Sequence, residues 1–301
     1  MDLQNISQLM KIESSLLKKL VSEIETHPTL AGLWAEPYPE YASAGMQVAT
    51  LLNPTGEQQN FDYRDCRTLK PTPLLESMPV MQSLFFEKGM PLADMEVMGA
   101  RLLKLEPGTF YHEHRDFVYL EAVPRFRLHI PLITNDQSFI VGPDTNVHFQ
   151  AGYLWKLDPK STIHSACNFG ESARIHLMID CYVNEKLQTL LDNETLDETL
   201  KVEKAPLTSQ IKESLIEKSI QLMQSGSQKQ AEELILGSFC HYNLYHLQEG
   251  LTTYDILKEA YKRAAEKTPS LKTELEEKFQ YWKDRLIETY PERKDRELAP
   301  V

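Results

Sequence analysis

The chain has 301 residues, with 32 lysines and arginines against 44 aspartates and glutamates and a formal net charge of -12. That balance argues against a general nucleic-acid binder, which needs a basic face to displace counterions from phosphate. With 42% hydrophobic and 25% charged residues, the chain is neither disordered nor fibrous and can bury a full core. No run approaches the roughly 18 consecutive apolar residues of a membrane span, and the N-terminus lacks the pattern of a secretion signal. A cytoplasmic protein is expected, with no nucleic-acid or membrane partner. Cys66, Cys167, Cys181 and Cys240 form no CxxC pair, so reduced thiols are expected.

Apolar residues at helical spacing from Ile6 to Ile24 predict an amphipathic helix. Prolines 37, 39, 54, 71, 73 and 79 then interrupt any long element, with space for a short helix between Leu74 and Lys88. From about Met95 the pattern changes to short runs rich in Val, Ile, Phe and Tyr, separated by turn signals. The predicted strands are Val97–Leu105, His114–Leu120, Phe126–Ile133, Ser138–Val141, Val147–Phe149, Tyr153–Lys156, Ile163–Asn168 and Arg174–Cys181. Short strands at this density predict a mainly β core built as a double-stranded β-helix, of jelly-roll or cupin-like form. After Val183 the stripes at Ile211–Ser225, Gln228–Tyr245, Tyr254–Lys267 and Thr273–Thr289 predict helices, and the charged run Pro291–Val301 is expected to fray. The division read from this is 1–94 helical and loop-rich, 95–183 a β core, and 184–301 a helical C-terminal domain.

Chemistry concentrates in His112-Glu113-His114-Arg115-Asp116-Phe117. In an extended strand His114 and Asp116 share a face. With one further histidine from across the barrel they would make a two-histidine, one-carboxylate triad, which holds iron(II) and leaves positions open; His164, opening a predicted strand, is the natural third ligand. Alone, His-x-Asp is a weak signal that ordinary polar residues on a strand would also give. Asn168, Arg174 and His176, which follow in a strand-forming context, strengthen it, because a guanidinium near the metal can grip a carboxylate bidentately.

The segments His114-Arg115-Asp116-Phe117-Val118, Phe126-Arg127-Leu128-His129 and His164-Ser165-Ala166-Cys167-Asn168-Phe169 resemble the bacterial L-proline 3-hydroxylases, within the aspartyl/asparaginyl β-hydroxylase superfamily of iron(II)/2-oxoglutarate dioxygenases. Cys240-His241-Tyr242-Asn243 is similar to part of that family's C-terminal domain. The resemblance implies that His114, Asp116 and His164 bind iron, that Arg174 holds the distal carboxylate of 2-oxoglutarate, and that His129 supports the same co-substrate. It also implies that Arg101 and Arg127 meet the substrate's carboxylate.

Simpler roles stand beside these. His112 is read as a strand-end surface residue, His176 as a core or supporting histidine, His148 as a polar strand position, Trp155 as core or pocket wall, and Cys167 as core. Asn168 orders a turn or touches the co-substrate. The function expected is hydroxylation of a free small amino acid, proline first, with iron(II), 2-oxoglutarate and O2. The alternatives are hydroxylation of a carrier-bound or peptidyl residue, and a non-catalytic jelly-roll binding protein. Nothing in the sequence indicates the oligomeric state.

Overall fold

The computed structural model describes residues 5–62, 65–120 and 122–295. In chain order its elements are β1 (Ile6–Lys11), α1 (Ser14–Thr26), β2 (Met46–Asn53), β3 (Lys70–Pro71), α2 (Pro73–Glu76) and α3 (Pro79–Phe86). The central region contributes β4 (Val97–Leu105), β5 (Thr109–Phe110), β6 (Arg125–Ile133), β7 (Ser138–Val141), β8 (Thr145–Val147), β9 (Tyr153–Leu157), β10 (Ser165–Asn168) and β11 (Arg174–Tyr182). There follow α4 (Glu185–Leu191), β12 (Lys201–Glu203), α5 (Ser209–Gln224), α6 (Gln228–Leu236), α7 (Ser238–His241), α8 (Thr253–Lys267) and α9 (Lys272–Thr289).

A seven-stranded sheet runs β1-β9-β6-β11-β4-β2-β3 and a five-stranded sheet runs β12-β8-β7-β10-β5, antiparallel throughout. The side-chain period of two then sorts residues into layers. On β11, Ile175, Leu177 and Ile179 join Leu128 and Ile130 of β6 and Ala100 and Leu102 of β4 in a core covered by α1, α2 and α3. The opposite face, carrying Leu103, Trp155 and Met178, meets Ile140, Val147 and Ala166 of the smaller sheet. The outer side of the smaller sheet, through Val141 and Cys167, packs on the C-terminal helices. Phe149 and Trp155 stack with ring centroids 4.4 Å apart, so Trp155 is core, as expected.

Three local readings need correction. Ile6–Lys11 is a strand, because these residues pair with β9 in the register Ile6↔Leu157, and the helix begins only at Ser14. Pairing with a sheet edge outweighs a periodicity that suits either state. The N-terminal segment thus adds β1, β2 and β3 to the larger sheet. His114–Leu120 is not a strand: only His114 makes a bridge, and Phe117 turns the chain with φ 60°. The predicted helix Gln228–Tyr245 breaks after Leu236, where Gly237 sits against β5. A Cβ there would lie 3.1 Å from the Phe110 ring, so the missing side chain lets helix and sheet approach. Of the charged tail, Pro291–Arg293 form a 3-10 turn and 296–301 lie outside the described residues.

Candidate metal centre and active site

His114 and His164 are joined by an isolated antiparallel bridge in which each backbone N–H donates to the other's carbonyl at 2.9 Å. Such a reciprocal pair brings two side chains together on one face, and here the ring centroids are 4.3 Å apart. His114 Nδ1 lies 2.7 Å from the carbonyl of His112, and His164 Nδ1 lies 3.0 Å from that of Thr162. A carbonyl can only accept, so both Nδ1 atoms carry the proton and both Nε2 atoms present lone pairs. Beyond the bridge the Asp116 N–H donates to the Pro159 carbonyl at 2.8 Å, and the chain turns at Phe117. This detour, rather than strand alternation, brings Asp116 Oδ2 to 3.7 Å from His114 Nε2 and 3.6 Å from His164 Nε2.

These three residues are the metal-capable cluster found among the described residues. Atoms bound to one ion at about 2.1 Å are at most about 4.2 Å apart, and both separations fall inside that limit. Burial alone would raise the Asp116 carboxyl, but Arg127 and the two imidazoles hold it well below its ordinary value, so it is an anion. His164 is lowered by burial and then by His114, which keeps it neutral and able to ligate.

The cluster opens into a cavity of about 850 Å³ that Arg101, Arg127, His129 and Met178 also line. Register explains their convergence: Met178 on β11 faces both Arg101 on β4 and His129 on β6, and Asp180 faces Arg127. Arg127 donates from Nε and Nη2 to Asp180 at 2.8 and 3.2 Å and from Nη1 to Asp116. Asp180, fully buried, was not singled out from the sequence, although it continues the alternate-residue series Arg174, His176, Met178. Arg101 reaches the Tyr38 hydroxyl at 3.4 Å.

Arg174 lies deeper, fully buried and outside the cavity lining, with Nε 3.0 Å from His176 Nε2. Its Nη1 and both ring nitrogens of His129 are buried without a hydrogen-bond partner. Burial lowers Arg174 to about 10, and burial followed by the charge of Arg174 holds His129 and His176 well below their ordinary values. A cationic fork with an unmet donor beside a neutral histidine is suited to an anionic ligand.

His112 is not the surface residue expected. It is buried edge-on against Trp282 at 5.7 Å, and burial pushes it down to about 3. Asn168 orders a turn, donating to the carbonyls of Leu105 and Ser172 at 2.9 Å and accepting from Gly170 N–H at 3.2 Å.

Residues 64–183 match the family described as aspartyl/asparaginyl β-hydroxylase. This segment is similar to that family, in agreement with the resemblance read from the motifs. The chain is also similar to L-proline cis-3-hydroxylase 2 of Streptomyces sp., at 30% identity over 182 residues, which cover 56% of this chain and 60% of that protein. The chain thus spans about three fifths of that relative's length. It is 26% identical to L-proline cis-4-hydroxylase of Rhizobium meliloti over 248 residues, covering 79% of this chain and 85% of that one. A solved prolyl-4-hydroxylase from Pseudomonas putida is 13% identical with a TM-score of 0.37, covering 60% of this chain and 93% of that chain.

Proposed function

We propose that the protein is an iron(II)/2-oxoglutarate-dependent hydroxylase of a free amino acid, with proline or a similar small cyclic amino acid as substrate. The observation that carries this reading is the convergence of His114 Nε2, His164 Nε2 and Asp116 Oδ2 at the wall of one cavity. That donor set holds iron(II) while leaving positions for other ligands. The names of the relatives point to proline.

In this reading His114, Asp116 and His164 hold the metal. When bound, iron with 2-oxoglutarate and O2 supplies the oxidation of an unactivated C–H bond, giving hydroxylated product, succinate and CO2. Arg174 receives the distal carboxylate of 2-oxoglutarate, supported by its unmet Nη1 donor and the unpartnered nitrogens of His129. Arg101 and Arg127 take the substrate's carboxylate, supported by their places in the cavity wall. Two fixed guanidinium groups would hold the target C–H in one orientation, which is the main contribution of the protein to rate.

We read the two facing sheets as a double-stranded β-helix, and we divide the chain into 1–94, a dioxygenase core 95–183 and a C-terminal helical domain 184–301, the first two sharing the larger sheet. Among the described residues no helix is long and apolar enough to cross a membrane. The four unbridged cysteines are compatible with the reducing cytoplasm in which we place the protein.

The test is succinate release from 2-oxoglutarate with iron(II), ascorbate and a panel of free amino acids, with products identified by mass shift and NMR. Prolinamide is included because it keeps most of the shape of proline and loses the anion. Turnover of proline without turnover of prolinamide is expected, since the neutral amide gives up the charge-assisted hydrogen bonds that a carboxylate makes to guanidinium groups. Equal turnover of both would favour a carrier-bound or peptidyl substrate, and absence of iron together with absence of succinate would favour a non-catalytic binding protein.

A further inference from the structure

The two residues that flank His114 both leave the β core and enter the C-terminal helical domain. Glu113 is buried, and its Oε1 accepts from the N–H of Thr253, the first residue of α8, at 2.6 Å, and from the Thr253 hydroxyl. Its Oε2 accepts from the Tyr290 hydroxyl at 2.8 Å, and its backbone carbonyl accepts from the Tyr254 hydroxyl at 2.8 Å. On the other side of His114, Arg115 Nε donates at 3.0 Å to the carbonyl of Thr289, the last residue of α9, and Nη2 donates at 2.5 Å to Glu292. An acidic group thus meets a helix N-terminus and a basic group meets a helix C-terminus, the two arrangements that the helix dipole favours.

The geometry points to Glu113 and Arg115 as positioning residues for the metal centre, through which the C-terminal helices set the place of His114 and Asp116 opposite His164. Between His112 and Leu120 the backbone has little ladder support: His112 N–H donates to Tyr41, His114 exchanges two bonds with His164, and Asp116 N–H donates to Pro159. The ring of His114 and the carboxylate of Asp116 therefore depend on how the intervening backbone is held, and the side-chain ties on either side of His114 hold it. Rotation of one peptide would move the His114 and Asp116 donor atoms relative to each other without unfolding either layer. The inference rests on the reading of His114, Asp116 and His164 as a metal site.

The experiment uses cobalt(II) as the probe, with its visible absorption as the readout, on the full chain and on Glu113→Gln, Arg115→Met and Arg115→Lys. Partners behind metal ligands typically control affinity by 10- to 100-fold. Weakening of cobalt binding by about that factor and an altered band pattern are expected in Glu113→Gln and Arg115→Met. Recovery is expected in Arg115→Lys, which keeps a donor for the Thr289 carbonyl. Wild-type affinity and spectrum in Arg115→Met would overturn the inference, whatever happened to thermal stability, because a contact that only docks the domains would change melting and not the metal spectrum. Arg115 is only partly buried, with 17% of its side chain exposed, and its variant decides the matter even if Glu113→Gln does not fold. Cobalt uptake by the parent chain that does not depend on His114 would overturn the metal reading itself, a separate result.

Discussion

Asp180 stands directly across from Arg127 in the ladder between β11 and β6, and both of its carboxylate oxygens accept from that guanidinium, at 2.8 and 3.2 Å. A buried pair of this kind is costly to break from one side, because the Arg127 guanidinium would lose both hydrogen bonds to Asp180 and keep the one to Asp116. Asp180→Ala should destabilise the protein by about 3–5 kcal/mol, measured by urea denaturation, whereas Asp180→Leu combined with Arg127→Met should lose less. A loss under about 1 kcal/mol in the single variant would mean that the pair is relaxed in solution.

The proposed metal ligands give the second prediction. His114→Ala, Asp116→Ala and His164→Ala should each remove stoichiometric iron(II) while leaving the circular dichroism spectrum unchanged, since the triad has no spare protein ligand. His112→Ala should keep its iron and lose about 1–3 kcal/mol of stability, because it vacates a packed position against Trp282. Retention of iron in His114→Ala with loss in His112→Ala would place the ligand one strand period away.

For the co-substrate, Arg174→Lys retains the charge and discards the planar fork. Apparent affinity for 2-oxoglutarate should fall at least about tenfold, or roughly 1.4 kcal/mol. The check is a saturation curve in 2-oxoglutarate at fixed amino acid, and an unchanged curve would remove Arg174 from that site.

A pH prediction follows from Lys204, which donates to the carbonyls of Gly142 and Phe239 at 2.5 and 2.7 Å and is pushed down to about 8 by burial. In the unfolded chain the same amine titrates near 10.5. Between those values the unfolded chain holds a proton that the folded chain has released, so this group makes folding more favourable as pH rises. The stability difference between the parent and Lys204→Met should therefore shift in favour of the parent from pH 8 to pH 10. A difference that stays flat over that range would show that Lys204 titrates normally.

Legibility in the sequence followed the physical origin of each feature. β4 and β7 were predicted residue for residue because turn signals bound them and β-rich composition fills them. The C-terminal helices were legible from their stripes, except where Gly237 interrupts one. At the His114, Asp116 and His164 cluster the convergence was read for partly the wrong local reason: His114 and Asp116 were placed together by strand alternation, whereas the chain reaches the same place through a bridge and a turn. Asp180 was hidden because an aspartate inside a strand carries no motif, although its spacing from Arg174 was visible. Glu113 and His112 were hidden for a different cause: the helices that bury them lie about 140 residues or more further along the chain, and no local pattern records such a meeting.

The strand β1 has a consequence for how the molecule is made. The strand it pairs with follows about 150 residues later, and at an ordinary synthesis rate of about 5–20 residues per second β1 waits many seconds. During that interval a six-residue strand segment has no ladder to join, and non-local closures of this length slow folding. This edge of the larger sheet is therefore completed late, by β1 returning to a strand made about 150 residues after it, and a nascent chain halted before β9 would expose that segment to chaperones and to its own neighbours on the polysome.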